Sequence, residues 1–120
     1  DEIHSRNKVA ELYSTKINDT YLKQFIPSGN VSAWAQYSIL ANSMEHRDRV
    51  ILELKNNNIP SAIYYITPLH LQTVYKNLGY SNGEYPISED VSSRIFSIPM
   101  HPYLENEDIN KICEIINAVR

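Results

Sequence analysis

The side chains with the most chemistry to offer are four histidines (His4, His46, His70 and His101), one cysteine (Cys113) and nine tyrosines. A zinc site needs His, Cys or carboxylate ligands clustered at short spacings, and these histidines are scattered. No metal site is expected. Cys113 falls on the apolar series Ile109, Ile112, Cys113, Ile116 and reads as an inert core residue, not a nucleophile. No Gly-x-Ser-x-Gly elbow is present to carry a serine nucleophile. Three isolated glycines cannot supply the consecutive free N–H groups of a phosphate cradle. No catalytic residue is therefore assigned.

Two spots remain. In the first, residues 57–80, a polar turn leads into an apolar β run ending in Tyr64-Tyr65; Pro68 then opens a helical segment with His70 and Gln72 near its start. Such a corner carries groups with an apolar body and a polar tip, which suit ligand contact. The second spot is Met100-His101-Pro102. If the second and third strands are neighbours, both spots share one end of the sheet. The same residues also read as half-buried packing tyrosines and surface histidines, and residue type alone leaves both readings open.

The elements that must position these groups follow from periodicity. Residues 3–17 repeat apolar side chains at helical spacing. No start signal precedes Ile3, so this helix could also continue one from an upstream domain. Residues 18–31 form a connector, extended near Tyr21–Ile26 and turning at Pro27-Ser28-Gly29-Asn30. Ser32–Leu40 reads as a central strand with Trp34 and Tyr37 on opposite faces. A helix over 45–56 follows, ended by Asn56-Asn57-Asn58. Residues 61–66 read as the second strand, and 68–78 as a short helix capped by Gly79. A helix over 86–95 turns Ile87, Val91 and Ile95 to one side, and 96–98 form the third strand. The last helix spans 106–119. This order predicts one α+β domain, a small, mostly antiparallel sheet of about three strands covered by helices.

Composition narrows the partners. With 42% hydrophobic and 21% charged residues the chain has an ordinary globular balance. A net charge of −3 and a pI near 5.8 argue against nucleic acid, whose phosphates demand a basic surface. No apolar run approaches the roughly 18 residues of a membrane span. A lone cysteine and no leader pattern point to a reducing, cytoplasmic compartment. The first residue is Asp, and the chain reads as a piece of a longer protein.

Five segments then occur in one order: Ser32-Ala33-Trp34-Ala35-Gln36-Tyr37-Ser38-Ile39, Ile59-Pro60-Ser61-Ala62-Ile63-Tyr64-Tyr65, Pro68-Leu69-His70-Leu71-Gln72, Tyr85-Pro86-Ile87-Ser88-Glu89, and Phe96-Ser97-Ile98-Pro99-Met100-His101-Pro102-Tyr103-Leu104. That series, covering nearly the whole chain, resembles the C-terminal domain of the DegT/DnrJ/EryC1/StrS aminotransferases. These are pyridoxal-phosphate (PLP) enzymes that aminate nucleotide-linked keto sugars. The resemblance implies the small domain of a fold-type I aminotransferase, with residues 1–17 as a linking helix and 18–120 as the small domain. The cofactor, its lysine and its phosphate site would belong to a large upstream domain, so this chain is expected to bind no PLP and to be inactive alone. The resemblance further implies glutamate as amino donor, a homodimer when full length, and a place in polysaccharide or cell-surface sugar biosynthesis. Substrate contacts would fall on Tyr65, His70, Tyr64 and His101. Tyr64 stands where the family commonly has His; Asn58 and Thr73 replace a family Gly and Pro. The Trp34-Ala35-Gln36-Tyr37 form is similar to members that aminate a 3-keto amino-sugar acid nucleotide. The alternative is a free-standing, non-enzymatic module that binds a small molecule or regulates.

Overall fold

The computed structural model describes residues 1–120. Helix α1 spans Glu2–Lys16, and the Asp1 carboxylate caps it by accepting the Ile3 N–H at 3.1 Å. Strand β1 (Leu22–Lys23) is short, and β2 (Tyr37–Leu40) lies at the centre of a three-stranded antiparallel sheet in the order β1-β2-β3. Helix α2 (Met44–Asn56) starts at Ser43, whose hydroxyl accepts the His46 N–H. It ends where Asn58 takes a φ of 58°. Two 3-10 turns (Leu69–Leu71 and Thr73–Leu78), helix α3 (Pro86–Arg94), strand β3 (Ile95–Ile98) and helix α4 (Asn106–Ala118) complete the chain. No helix is long and apolar enough to cross a membrane.

The core forms where α1, α2 and α4 meet one face of the sheet. Strand partners Tyr37 and Ile98, and Ile39 and Phe96, lie opposite each other and are all buried. From α4 the core takes Ile109, Ile112, Cys113 and Ile116, and from α1 it takes Val9, Ala10 and Tyr13. Burying each large side chain contributes about 1.5–3 kcal/mol, whereas water screens ion pairs with a fully exposed partner, such as Lys23–Asp19. The apolar faces therefore decide the fold. Polar tips inside the core have partners: the Tyr13 hydroxyl donates to Pro99 O at 2.8 Å, and the Tyr21 hydroxyl donates to Ile116 O at 2.9 Å. Burial pushes the Tyr21 phenol up to about 12 and the Cys113 thiol up to about 11, so neither ionises near neutrality. Cys113 is the inert core residue its position in the stripe implied.

Three expectations are corrected. Residues 32–36 are not strand. Trp34 takes a φ of 45°, and this stretch bonds to α1: Trp34 Nε1 donates to Asn7 Oδ1 at 3.0 Å and Arg6 donates to Trp34 O at 3.1 Å. The turn brings Trp34 onto the same side as Tyr37, with the rings stacked at 5.3 Å. Residues 61–66 make one isolated bridge, Ala62 to Ser97, and no strand. The sheet's third member is β1 instead. The expected helix over 68–78 is interrupted at Gln72, whose ψ of 144° is extended. Ile87, Val91 and Ile95 do fall to one side and line one cleft, with Ile87 80% exposed, while Ser92 is the buried residue of α3.

Replacing Ile112, which is 3% exposed, with Asp should destabilise the chain by at least about 3 kcal/mol in urea unfolding, because the carboxylate would have no buried partner. An unchanged midpoint would show that α4 does not pack as described.

Candidate functional site

Past the bridge at Ala62 the chain leaves the sheet and turns. The bridge itself is two hydrogen bonds, Ala62 N–H to Ser97 O at 3.1 Å and Ser97 N–H to Ala62 O at 2.7 Å. The pairing does not continue, and the carbonyls of Tyr65 and Ile66 are engaged from the side. The Ser92 hydroxyl of α3 bonds to Tyr65 O and also lies 2.9 Å from Ile66 O. Ser92 is tied back in turn, since Arg47 of α2 donates to its carbonyl at 3.3 Å. This fixes Tyr64 and Tyr65, joined by a cis peptide, at the mouth of a cleft of about 1000 Å³. The tyrosine rings meet edge to face at 5.6 Å and are 44% and 70% exposed. Leu69 and Gln72 line the cleft between the 3-10 turns, and Tyr85, Val91 and Ile95 line it from α3 and β3.

Behind Tyr85 lies a second hollow of about 410 Å³, bounded by His70, Tyr75 and Tyr80. One carboxylate holds this region together. Glu89 Oε1 accepts His70 Nε2–H at 2.9 Å, and both Glu89 oxygens lie 2.9 Å from the Gly83 amide. The Tyr85 N–H adds a further bond at 3.3 Å. A carboxylate accepts only, so the His70 proton sits on Nε2. The His70 hydrogen bond, with smaller help from the Gly83 and Tyr85 amides, holds the Glu89 carboxyl below the ordinary glutamate range. Glu84 is lowered too, chiefly by the Ser81 hydroxyl and then by the Ser81 amide. No lysine or arginine lines either hollow.

The structure separates the residues that the sequence singled out. Tyr64, Tyr65 and Gln72 share the cleft. His70 stands one layer behind, with its Nε2 turned to Glu89. His101 lies elsewhere, exposed, its Nδ1 accepting the Tyr103 N–H at 3.3 Å. The reason is direction: residues 62–65 run antiparallel to β3 and so reach its Ile95 end, whereas His101 leaves from the Ile98 end. The expected common sheet end does not form. Sequence reasoning gave no role to Tyr85, Glu89 or Ser92. An acidic residue in the first turn of a helix opened by proline was the available signal for Glu89. Nothing in the local pattern marks Ser92.

The family model for "DegT/DnrJ/EryC1/StrS aminotransferase family" matches residues 1–117. A curated relative, the UDP-2-acetamido-2-deoxy-3-oxo-D-glucuronate aminotransferase of Pseudomonas aeruginosa, is 32% identical over 114 residues, which are 94% of this chain and 30% of that protein. The crystal structure of a DegT DnrJ EryC1 StrS aminotransferase from Brucella abortus superposes with a TM-score of 0.86 at 46% identity, over 97% of this chain and 30% of that one. A sugar aminotransferase from Streptococcus pneumoniae in its PLP form gives 0.87 at 26% identity, over 98% of this chain and 31% of that one. The chain thus spans about 30% of the length of the relatives it matches.

Ser92→Ala removes the hydroxyl shared by two carbonyls and should cost about 1–2 kcal/mol. Limited proteolysis should then cut between Ala62 and Leu69 faster than in wild type; equal rates would mean that the turn is held otherwise. A carboxyl with a lowered pKa stabilises fully above its ordinary value and loses that contribution as pH falls through the lowered one. Near-UV circular dichroism of the tyrosines around Glu89 should therefore hold down through pH 4.5 and change only in stronger acid. A transition above pH 4.5 would contradict the arrangement.

Proposed function

The chain belongs to the DegT/DnrJ/EryC1/StrS aminotransferase family, and on that premise we propose that it is the C-terminal small domain of a PLP-dependent enzyme that moves an amino group from glutamate to a nucleotide-linked keto sugar. The observation that carries this reading is the tyrosine-walled cleft with no cation in its lining. Aromatic faces pack against the apolar face of a sugar ring, and phenol hydroxyls exchange hydrogen bonds with its hydroxyls. Diphosphate and cofactor phosphate require cations or clustered N–H groups. Such a cleft serves as half of a site, facing the sugar while another part of the polypeptide holds the charged groups.

The residues of this chain do not fit the cofactor. PLP chemistry needs a lysine amine within the site. Lys8, Lys16, Lys55, Lys76 and Lys111 are exposed, and the Lys23 amine is engaged by Asp19 at 2.9 Å and Ser14 O at 3.1 Å. No step of the transfer is therefore assigned here. What the chain's own residues do is bind and exclude water: Tyr65 and Tyr64 cover the mouth of the cleft, and Leu69, Val91 and Ile95 give it an apolar lining.

The large domain is placed upstream, with residues 1–17 as the link and 18–120 as the small domain. Ile87 in the cleft lining is 80% exposed, and Ile66 and Val74 of the same irregular segment are 69% and 71% exposed, which suits a surface covered by that domain or by a second subunit of a homodimer. The Pseudomonas aeruginosa relative acts on a 3-oxo glucuronate nucleotide. A sugar of that class is the first candidate here, in cytoplasmic synthesis of surface polysaccharide. Tyr65 and Tyr64 are the proposed substrate contacts; His70 supports them from behind, and His101 is not proposed for the cleft.

The full-length polypeptide with PLP, glutamate and a panel of nucleotide-linked 3-keto sugars should aminate one of them. Tyr65→Ala should raise KM for that sugar about tenfold and leave the cofactor absorbance unchanged. Equal loss of both would indicate misfolding, and no amination across the panel would overturn the reading. Residues 1–120 alone should take up PLP only as nonspecific lysine adducts. A stoichiometric adduct at one lysine would place the cofactor site in this chain.

A further inference from the structure

The convergence of four donor contacts on one carboxylate is more than a helix cap requires. A first-turn acidic residue reaching back to the N-cap amide satisfies one orphan N–H. Glu89 does that for Tyr85, and it also takes the Gly83 amide and the ring N–H of His70, which comes from a separate 3-10 turn. Both side chains are shielded, at 9% exposure for His70 and 17% for Glu89. The loop between them, residues 79–85, contains no regular element, begins at Gly79 (φ 82°) and turns at Gly83 (φ 93°). Its end carries Tyr85, whose ring packs at 4.7 Å on His70 and at 5.6 Å on Tyr80 and which, with Leu69 and Ser88, lines both hollows.

We infer that Glu89 is a positioning residue for substrate recognition: it latches the 79–85 loop to His70 and so sets Tyr85 as a wall of the sugar-nucleotide cleft. This rests on the reading of the cleft given above. With the latch closed, the larger hollow ends at the Tyr85 ring. With it open, the ring is free to leave and the two hollows join, so the cleft loses the surface that defines the length of its occupant. Glu89 touches no substrate; it acts through Tyr85.

The test uses the full-length enzyme as wild type, Glu89→Ala, Glu89→Gln, Tyr85→Ala and the Glu89→Ala/Tyr85→Ala double variant. UDP-2-acetamido-2-deoxy-3-oxo-D-glucuronate is the probe substrate. Hydrogen–deuterium exchange of the peptide spanning 79–89 gives a readout independent of turnover. Glu89→Ala should strip protection from that peptide and raise KM about tenfold, with kcat lowered less than about threefold. Glu89→Gln keeps an acceptor at the Oε1 position, where the donors converge, and should stay near wild type in both. The double variant should be no worse than Tyr85→Ala alone, since the two residues act as one unit. A fall in kcat with KM unchanged, full additivity in the double variant, or unchanged exchange in Glu89→Ala would each overturn the latch. If Glu89→Ala does not fold, His70→Leu, which removes one donor and keeps the carboxylate, supports the same comparison. If wild type aminates neither the probe nor the wider panel, the reading of function falls, and the exchange data decide the latch by themselves.

Discussion

The site depends on a two-hydrogen-bond bridge between Ala62 and Ser97. Every residue from Ile63 to Tyr85 lies outside the helices and strands, apart from two 3-10 turns that bury no residue. Such a segment has little apolar burial to offset the entropy of ordering it. It is held by a few directed contacts: the bridge, the Ser92 hydroxyl on two carbonyls, and the Glu89 carboxylate on two amides and an imidazole. All three anchors lie on β3 or α3. The core's role in the site is therefore indirect: Phe96 and Ile98 fix β3, and β3 with α3 presents the anchors.

This division of labour suits the proposed chemistry. A packed face of α1, α2, α4 and sheet gives the support on which the cleft is built. The opposite region is built of tyrosines, leucines and isoleucines that stay exposed. Its polar atoms are spent on holding the loop, leaving hydroxyls and an amide side chain toward the cleft. On the proposed reading, a surface with no cation in its lining faces the uncharged part of a sugar, and phosphate is held elsewhere. The match to about 30% of the length of related aminotransferases agrees with that partial site.

Much of the architecture was legible because it rests on local repeats. The α4 series Ile109, Ile112, Cys113, Ile116 is one helical face in any α+β fold, and the structure buries all four. The Asn58 stop and the Gly79 left-handed terminus are chemical properties of single residues. The misread stretches share a cause. Residues 32–36 and 61–66 have strand-like composition, but some of their carbonyls are claimed by side chains distant in sequence: Ser32 O and Trp34 O by Asn7 and Arg6, Tyr65 O and Ile66 O by Ser92. Composition cannot reveal that competition.

By itself, then, the sequence determined the four α-helices, the α+β class and the corner bearing Tyr64 and Tyr65. Each follows from short-range periodicity, capping or residue chemistry. Only the tertiary structure decided which side chains meet. It sent His101 to the far end of β3, turned His70 away from the cleft toward Glu89, and gave Tyr85 and Ser92 their places. Those outcomes depend on the antiparallel course of residues 62–65 along β3 and on the packing of α3 against α2. They are long-range geometry, and no window of sequence contains both partners.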